Sequence, residues 1–124
     1  FLEASAILLI VRMLNDEELH TLHRLAHELE LDVLVEIHDK NELERALKIP
    51  DLQILGINNR NLNTFNTDIK TTGELIKFIP EEILKNIVLV SESGFLSKDD
   101  LKYAENLNVD ALLIGEALMK GLIF

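Results

Sequence analysis

Five short aliphatic runs punctuate the chain, at Ala6–Val11, Asp32–Ile37, Leu52–Ile57, Ile87–Val90 and Ala111–Ile114. Each is nearly continuous in Ile, Val and Leu rather than alternating with polar residues. A strand with solvent on one side alternates and a strand covered on both sides does not, so these runs predict buried strands of a parallel sheet. Between them the period changes to that of a helix. Asp16–Glu30 places Leu19, Leu22, Leu25, Ala26 and Leu29 on one stripe, with Asn15 or Asp16 as its cap. Asp39–Lys48 repeats the pattern with Leu43, Ala46 and Leu47, and Thr71–Ile79 with Leu75, Ile76 and Ile79 before Pro80 stops it. Ser97-Lys98-Asp99-Asp100 reads as a capping box with Asp in the Glu position, opening a helix through Leu101, Ala104 and Leu107. A short last helix is expected at Glu116–Leu122.

Strands alternating with helices predict an α/β fold with parallel strands and right-handed crossovers. Two architectures fit. One is a partial (βα)8 TIM barrel with five parallel strands alternating with helices, just over half of a barrel that usually takes about 250 residues. The other is a flavodoxin-like doubly wound sheet. No linker, low-complexity tract or repeat divides the chain.

Charge and composition narrow the partners. The 124 residues include 12 Lys and Arg against 22 Asp and Glu, a formal charge of −10. That field repels nucleic-acid phosphates and anionic membranes, so neither is an expected partner. The absence of cysteine excludes a disulfide framework, thiol chemistry and a Cys-type zinc site. No apolar run approaches the roughly 18 residues that span a bilayer. The sequence starts at Phe1 with neither an initiator Met nor the basic segment of a signal peptide, which predicts a start inside a longer protein.

In both architectures chemistry gathers at the carboxyl ends of the strands. Those ends carry Glu36-Ile37-His38, Asn58-Asn59-Arg60-Asn61, Ser91-Glu92-Ser93-Gly94 and Gly115-Glu116. Glu36 stands out, because Val35 and Ile37 point to one face and its carboxyl to the other. A desolvated carboxylate there has a raised pKa or a cationic partner. Asn58, first after its strand, suits ligand contact, whereas Asn59 and Asn61 suit turn formation. Arg60 has the geometry to clamp a carboxylate. Ser93-Gly94 and Gly115-Glu116 allow backbone N–H groups to approach an anion, and barrels often bind phosphate there. Of the four histidines, His20, His23 and His27 share one helix without a third-ligand pattern, so no metal site is expected. His38 follows Glu36 by two residues and is a secondary candidate.

Together these segments resemble the later strands of indole-3-glycerol-phosphate synthase. The segments concerned are Ala6-Ile7-Leu8-Leu9-Ile10, Leu34-Val35-Glu36-Ile37-His38, Leu55-Gly56-Ile57-Asn58-Asn59-Arg60-Asn61-Leu62, Val90-Ser91-Glu92-Ser93-Gly94 and Leu113-Ile114-Gly115-Glu116-Ala117-Leu118-Met119. The resemblance covers essentially the whole chain. It implies a (βα)8 barrel of which residues 1–124 are the C-terminal portion, strands four to eight of one domain. It implies a cytoplasmic carboxy-lyase of tryptophan biosynthesis that closes the ring of 1-(2-carboxyphenylamino)-1-deoxyribulose 5-phosphate, losing carbon dioxide and water, with no cofactor or metal. By resemblance Glu36 and Glu92 are the catalytic carboxylates. Asn58, Arg60 and Ser93 contact the phosphorylated substrate, and Ser93, Gly94, Gly115 and Glu116 hold its phosphate. Ala117 departs from the family's frequent Ser. The family's catalytic lysines come from strands one and three, which this chain does not match. The expected partner is therefore the missing N-terminal half-barrel or a second copy of the chain, and the chain alone is expected to be inactive.

Overall fold

The computed structural model describes residues 6–60, 67–92, 98–107 and 109–113. Five strands form one sheet: β1 (Ala6–Ile10), β2 (Asp32–Ile37), β3 (Ile54–Asn58), β4 (Val88–Glu92) and β5 (Ala111–Leu113). Five helices alternate with them: α1 (Asp16–Glu28), α2 (Lys40–Leu47), α3 (Lys70–Ile76), α4 (Glu81–Leu84) and α5 (Lys98–Glu105). A 3-10 turn, Val11–Met13, follows β1.

All pairings are parallel, and the spatial order is β1-β2-β3-β4-β5. That order decides between the two architectures. A doubly wound sheet reverses direction and places its first strand between later ones. Here each strand is added beside the last, so right-handed crossovers keep all helices on one face, as in a barrel wall.

Burial follows this asymmetry. Val33, Val35 and Ile37 of β2, Leu55 and Ile57 of β3 and Leu89 of β4 point toward the helices, and none is more than 2% exposed. Each such side chain contributes about 1.5–3 kcal/mol relative to leaving it in water. They pack with Leu19, Ala26, Leu43, Ala46 and Leu75 from the helices. The opposite face carries Leu8, Leu34, Ile54 and Val88, which the register sets in one row. Leu8 is 50% exposed and Val88 45%. The sheet is thus finished on its helix side and apolar but open on the other.

The helix ends follow local chemistry. Asn15 caps α1 by accepting from Glu18 N at 2.8 Å, while the Glu18 side chain accepts from Asn15 N at 3.0 Å. Asp39 caps α2 by accepting from Glu42 N at 2.8 Å. Arg45 pins the loop after β1, donating to the Val11 and Leu14 carbonyls and to Asp16. The segment expected as one helix over Thr71–Ile79 ends at Ile76, and a second short helix starts after Pro80. Ser91 and Glu92 belong to β4 itself, so the fourth strand runs two residues past its aliphatic run. The short helix expected at Glu116–Leu122 and the Ser97 cap lie outside the described residues.

Candidate active site

Glu36 lies on the open face of β2, in register with Gly56 of β3, and Glu92 lies on the same face of β4, in register with Asn58. Gly56 is what lets the two carboxyls approach. A methyl group built at Gly56 would collide with Glu92 Oε2 and press on Leu34 Cδ1 at 3.0 Å. The missing side chain leaves a gap in the middle strand, and the Glu92 carboxyl leans into it toward Glu36.

The pair is desolvated: Glu36 is 6% exposed and Glu92 4%. Glu92 Oε2 is buried without a hydrogen-bond partner among the described residues. Burial, followed by hydrogen bonding to and repulsion from Glu36, pushes the Glu92 carboxyl from 4.5 up to about 8. Two adjacent carboxyls in a poorly solvated place cannot both ionise easily, so near neutral pH the pair keeps one proton. Such a site can accept a proton at one carboxyl and donate one from the other.

A family model for indole-3-glycerol phosphate synthase matches residues 1–122. The chain belongs to the indole-3-glycerol phosphate synthase family. Curated relatives bearing that name include one from Thermoanaerobacter sp., 51% identical over 96% of this chain and 44% of the relative. One from Acetivibrio thermocellus is 49% identical over 98% of this chain and 45% of the relative, and one from Acinetobacter baumannii is 45% identical over 96% and 43%. The chain therefore spans a little under half the length of these relatives. With membership of the indole-3-glycerol phosphate synthase family shown, the sequential sheet is a partial TIM barrel.

Asn58 ends β3, half-buried beside Glu92 in the register. Its Oδ1 accepts from Arg60 N at 3.0 Å, a turn that sets the start of the following loop. Arg60 is half-buried and pairs its backbone with Thr67. Asn59 faces the helices instead and is almost fully buried. It donates to Ser91 Oγ at 3.0 Å and accepts from Thr72 Oγ1 at 2.8 Å and Thr72 N at 3.1 Å. Its backbone N–H donates to the Glu92 carbonyl at 2.9 Å. Asn59 thus ties the ends of β3 and β4 to α3 through long-range bonds rather than forming the turn expected of it, and the local turn is made by Asn58. Ser93, Gly94, Gly115 and Glu116, expected to hold phosphate, and Ala117 beside them lie outside the described residues.

Three features of the site have no local signature in the sequence. The first is the Gly56 gap between the carboxyls. The second is the Asn59–Thr72–Ser91 network. The third is the contact of His38 with both Glu36 and Glu42, at 3.5 and 3.1 Å. The other histidines line a separate cavity of about 190 Å³, where His20, His23 and His27 meet Arg24, Ile49, Pro50 and Asp51. Burial and the neighbouring His27 lower the His23 pKa. Among the described residues no group of three or more His, Asp or Glu side chains is arranged to hold a metal ion. No described helix is long and apolar enough to cross a membrane.

Proposed function

We propose that this chain forms the last five strands of a full-length indole-3-glycerol phosphate synthase, with Glu36 and Glu92 as its acid–base carboxyls. The buried pair, split across β2 and β4 by Gly56, carries this reading. The reaction closes the pyrrole ring of 1-(2-carboxyphenylamino)-1-deoxyribulose 5-phosphate. The bond to the departing carboxyl breaks with release of carbon dioxide, and the former carbonyl oxygen leaves as water. That oxygen must gain protons and the new ring must lose one. A carboxyl pair holding a single proton supplies one of the oxygen's two protons and takes the one the ring loses, and the other proton comes from a lysine outside this chain.

Asn58 stands beside Glu92 at the same strand ends and is proposed to contact the substrate. Arg60 and Ser93 are proposed as further contacts, with Ser93, Gly94, Gly115 and Glu116 at the phosphate. The proton donor to the carbonyl oxygen is a lysine by resemblance, supplied by strands that this chain does not match. The lysines with described positions support that division. Lys40, Lys70 and Lys98 open helices, Lys48, Lys77 and Lys85 close them, Lys102 lies within one, and none lies at a strand end. The exposed apolar row through Leu8 and Val88 supports the N-terminal barrel strands as the natural cover of the open face.

The test supplies the substrate to the full-length protein and to residues 1–124 alone, following the fluorescence of the indole product. Product from the full-length protein and none from the chain alone is expected. No product from the full-length protein overturns the assignment. Turnover by the chain alone overturns the proposed division of the site. Light scattering on the chain, with and without the N-terminal portion, reads the cover: a mixed complex supports it and a pure dimer favours a second copy.

A further inference from the structure

A line of polar side chains runs inward from the turn after β1 to the carboxyl pair. Arg12 donates from Nε to Glu42 Oε2 at 2.9 Å. The other oxygen, Glu42 Oε1, accepts from the His38 backbone N–H at 3.1 Å and faces the His38 ring Nδ1 at 3.1 Å. Across the ring, His38 Nε2 lies 3.5 Å from Glu36 Oε2. The His38 side chain is only 3% exposed, so no bulk water competes for these contacts.

The chemistry of each partner restricts the ring. Burial raises the Glu42 carboxyl, but hydrogen bonds and charges from His38 and Arg12 outweigh it and leave its pKa lowered. Glu42 is thus an acceptor, and Nδ1 must carry a hydrogen. A bare Nε2 against an ionised carboxylate sets lone pair against negative charge and is disfavoured. The 3.5 Å approach of Nε2 to Glu36 Oε2 therefore favours a proton between them. Arg12 and Glu42 cancel in charge. Asp39, which caps α2 and meets Arg12 at 3.4 Å, stands on the outer side of this pair. Glu92 faces the line from β4, through Glu36.

We propose that His38 is a positioning residue for Glu36, held by the Arg12–Glu42 ion pair with its Nδ1 protonated toward Glu42 and its Nε2 turned to Glu36 Oε2. The proposal rests on Glu36 as a reacting carboxyl. It fixes where that carboxyl points. Substrate contact is not part of the role, so substrate affinity should change little when the ring is removed.

The test joins kinetics of the full-length protein with ¹⁵N spectra of the His38 ring. His38→Gln is expected to lower kcat on the order of 10–100-fold, the usual effect of losing a partner that orients a reacting group. KM should stay within about threefold, because only the reacting carboxyl is disturbed. The pH profile of kcat should move with it. Adding Glu42→Gln to His38→Gln should cause no further loss, since Glu42 acts through the ring. In the spectra Nδ1 should be protonated, and Glu36→Gln should shift the Nε2 resonance. A His38→Gln variant with unchanged kcat and pH profile overturns the proposal. So does a neutral ring protonated at Nε2 with Nδ1 bare, a result that needs no variant to fold. Absence of synthase activity in the wild-type protein would instead count against the assigned reaction, while the spectra still decide the tautomer.

Discussion

Glu92 should titrate near pH 8, and replacing Glu36 by Gln should lower that midpoint without returning it to 4.5. Burial is the largest cause of the rise from 4.5 to about 8, and Glu36 adds to it through a hydrogen bond and repulsion. Glu36→Gln removes the repulsion and leaves the burial. The same shift sets a pH dependence of stability. A raised acid binds its proton more tightly in the folded chain. Its stabilising effect is therefore complete below pH 4.5 and is lost as pH climbs from there to about 8. Each pH unit in that window costs about 1.4 kcal/mol, and water at the open sheet face reduces the total to the order of a few kcal/mol. Carbon-13 spectra of the glutamate carboxyls across pH 4–10 provide the assay, with Glu92→Gln to assign the resonance. Urea midpoints at several pH values measure the stability slope. A Glu92 midpoint below about 5 would mean that the pair is solvated or apart and that the buried carboxyl site does not exist.

Other perturbations test the surrounding frame. Gly56→Ala should destabilise the fold by about 1–3 kcal/mol through overpacking against Glu92 and Leu34, and should lower the Glu92 midpoint as the carboxyl swings away. Chemical denaturation and the same carbon-13 titration read both effects. Asn59→Ala leaves Thr72 N without its buried acceptor and Thr72 Oγ1 and Ser91 Oγ with only each other, and should cost about 1–3 kcal/mol by chemical denaturation. Asn15→Ala removes the α1 cap and should cost about 1 kcal/mol, with the loss visible as fraying of the first turn in amide exchange.

Local periodicity made most of the fold legible. The run Asp32–Ile37 became β2 with both ends as expected, because both of its faces and both of its flanking turns are marked in the sequence. The expected strand Leu52–Ile57 begins at Ile54 instead, since Leu52 packs against the core from outside the sheet. Its far end extends to Asn58, which pairs with Glu92. Pro80 was readable as a stop, but its use as the entry to a new helix at Glu81 was not, because Pro marks both events. The choice between barrel wall and doubly wound sheet lay beyond composition and period, since both share one element order. Glu36 was legible as a carboxylate inside an aliphatic strand. Its closeness to Glu92 depended on Gly56 in a strand between them. The Asn59–Thr72–Ser91 network joins residues 13 to 32 positions apart, separations at which no local pattern operates.

The proposed acid–base unit of two carboxyls is read most directly by formation of the indole product, which both proton transfers precede. Single turnovers of the full-length protein should be compared among wild type, Glu36→Gln, Glu92→Gln and the double variant. Each single change should lower the rate by at least about 100-fold. The double variant should be little worse than the slower single one, because the two carboxyls would handle one shared proton. Rates near wild type in either single variant, or losses that multiply in the double variant, would contradict it.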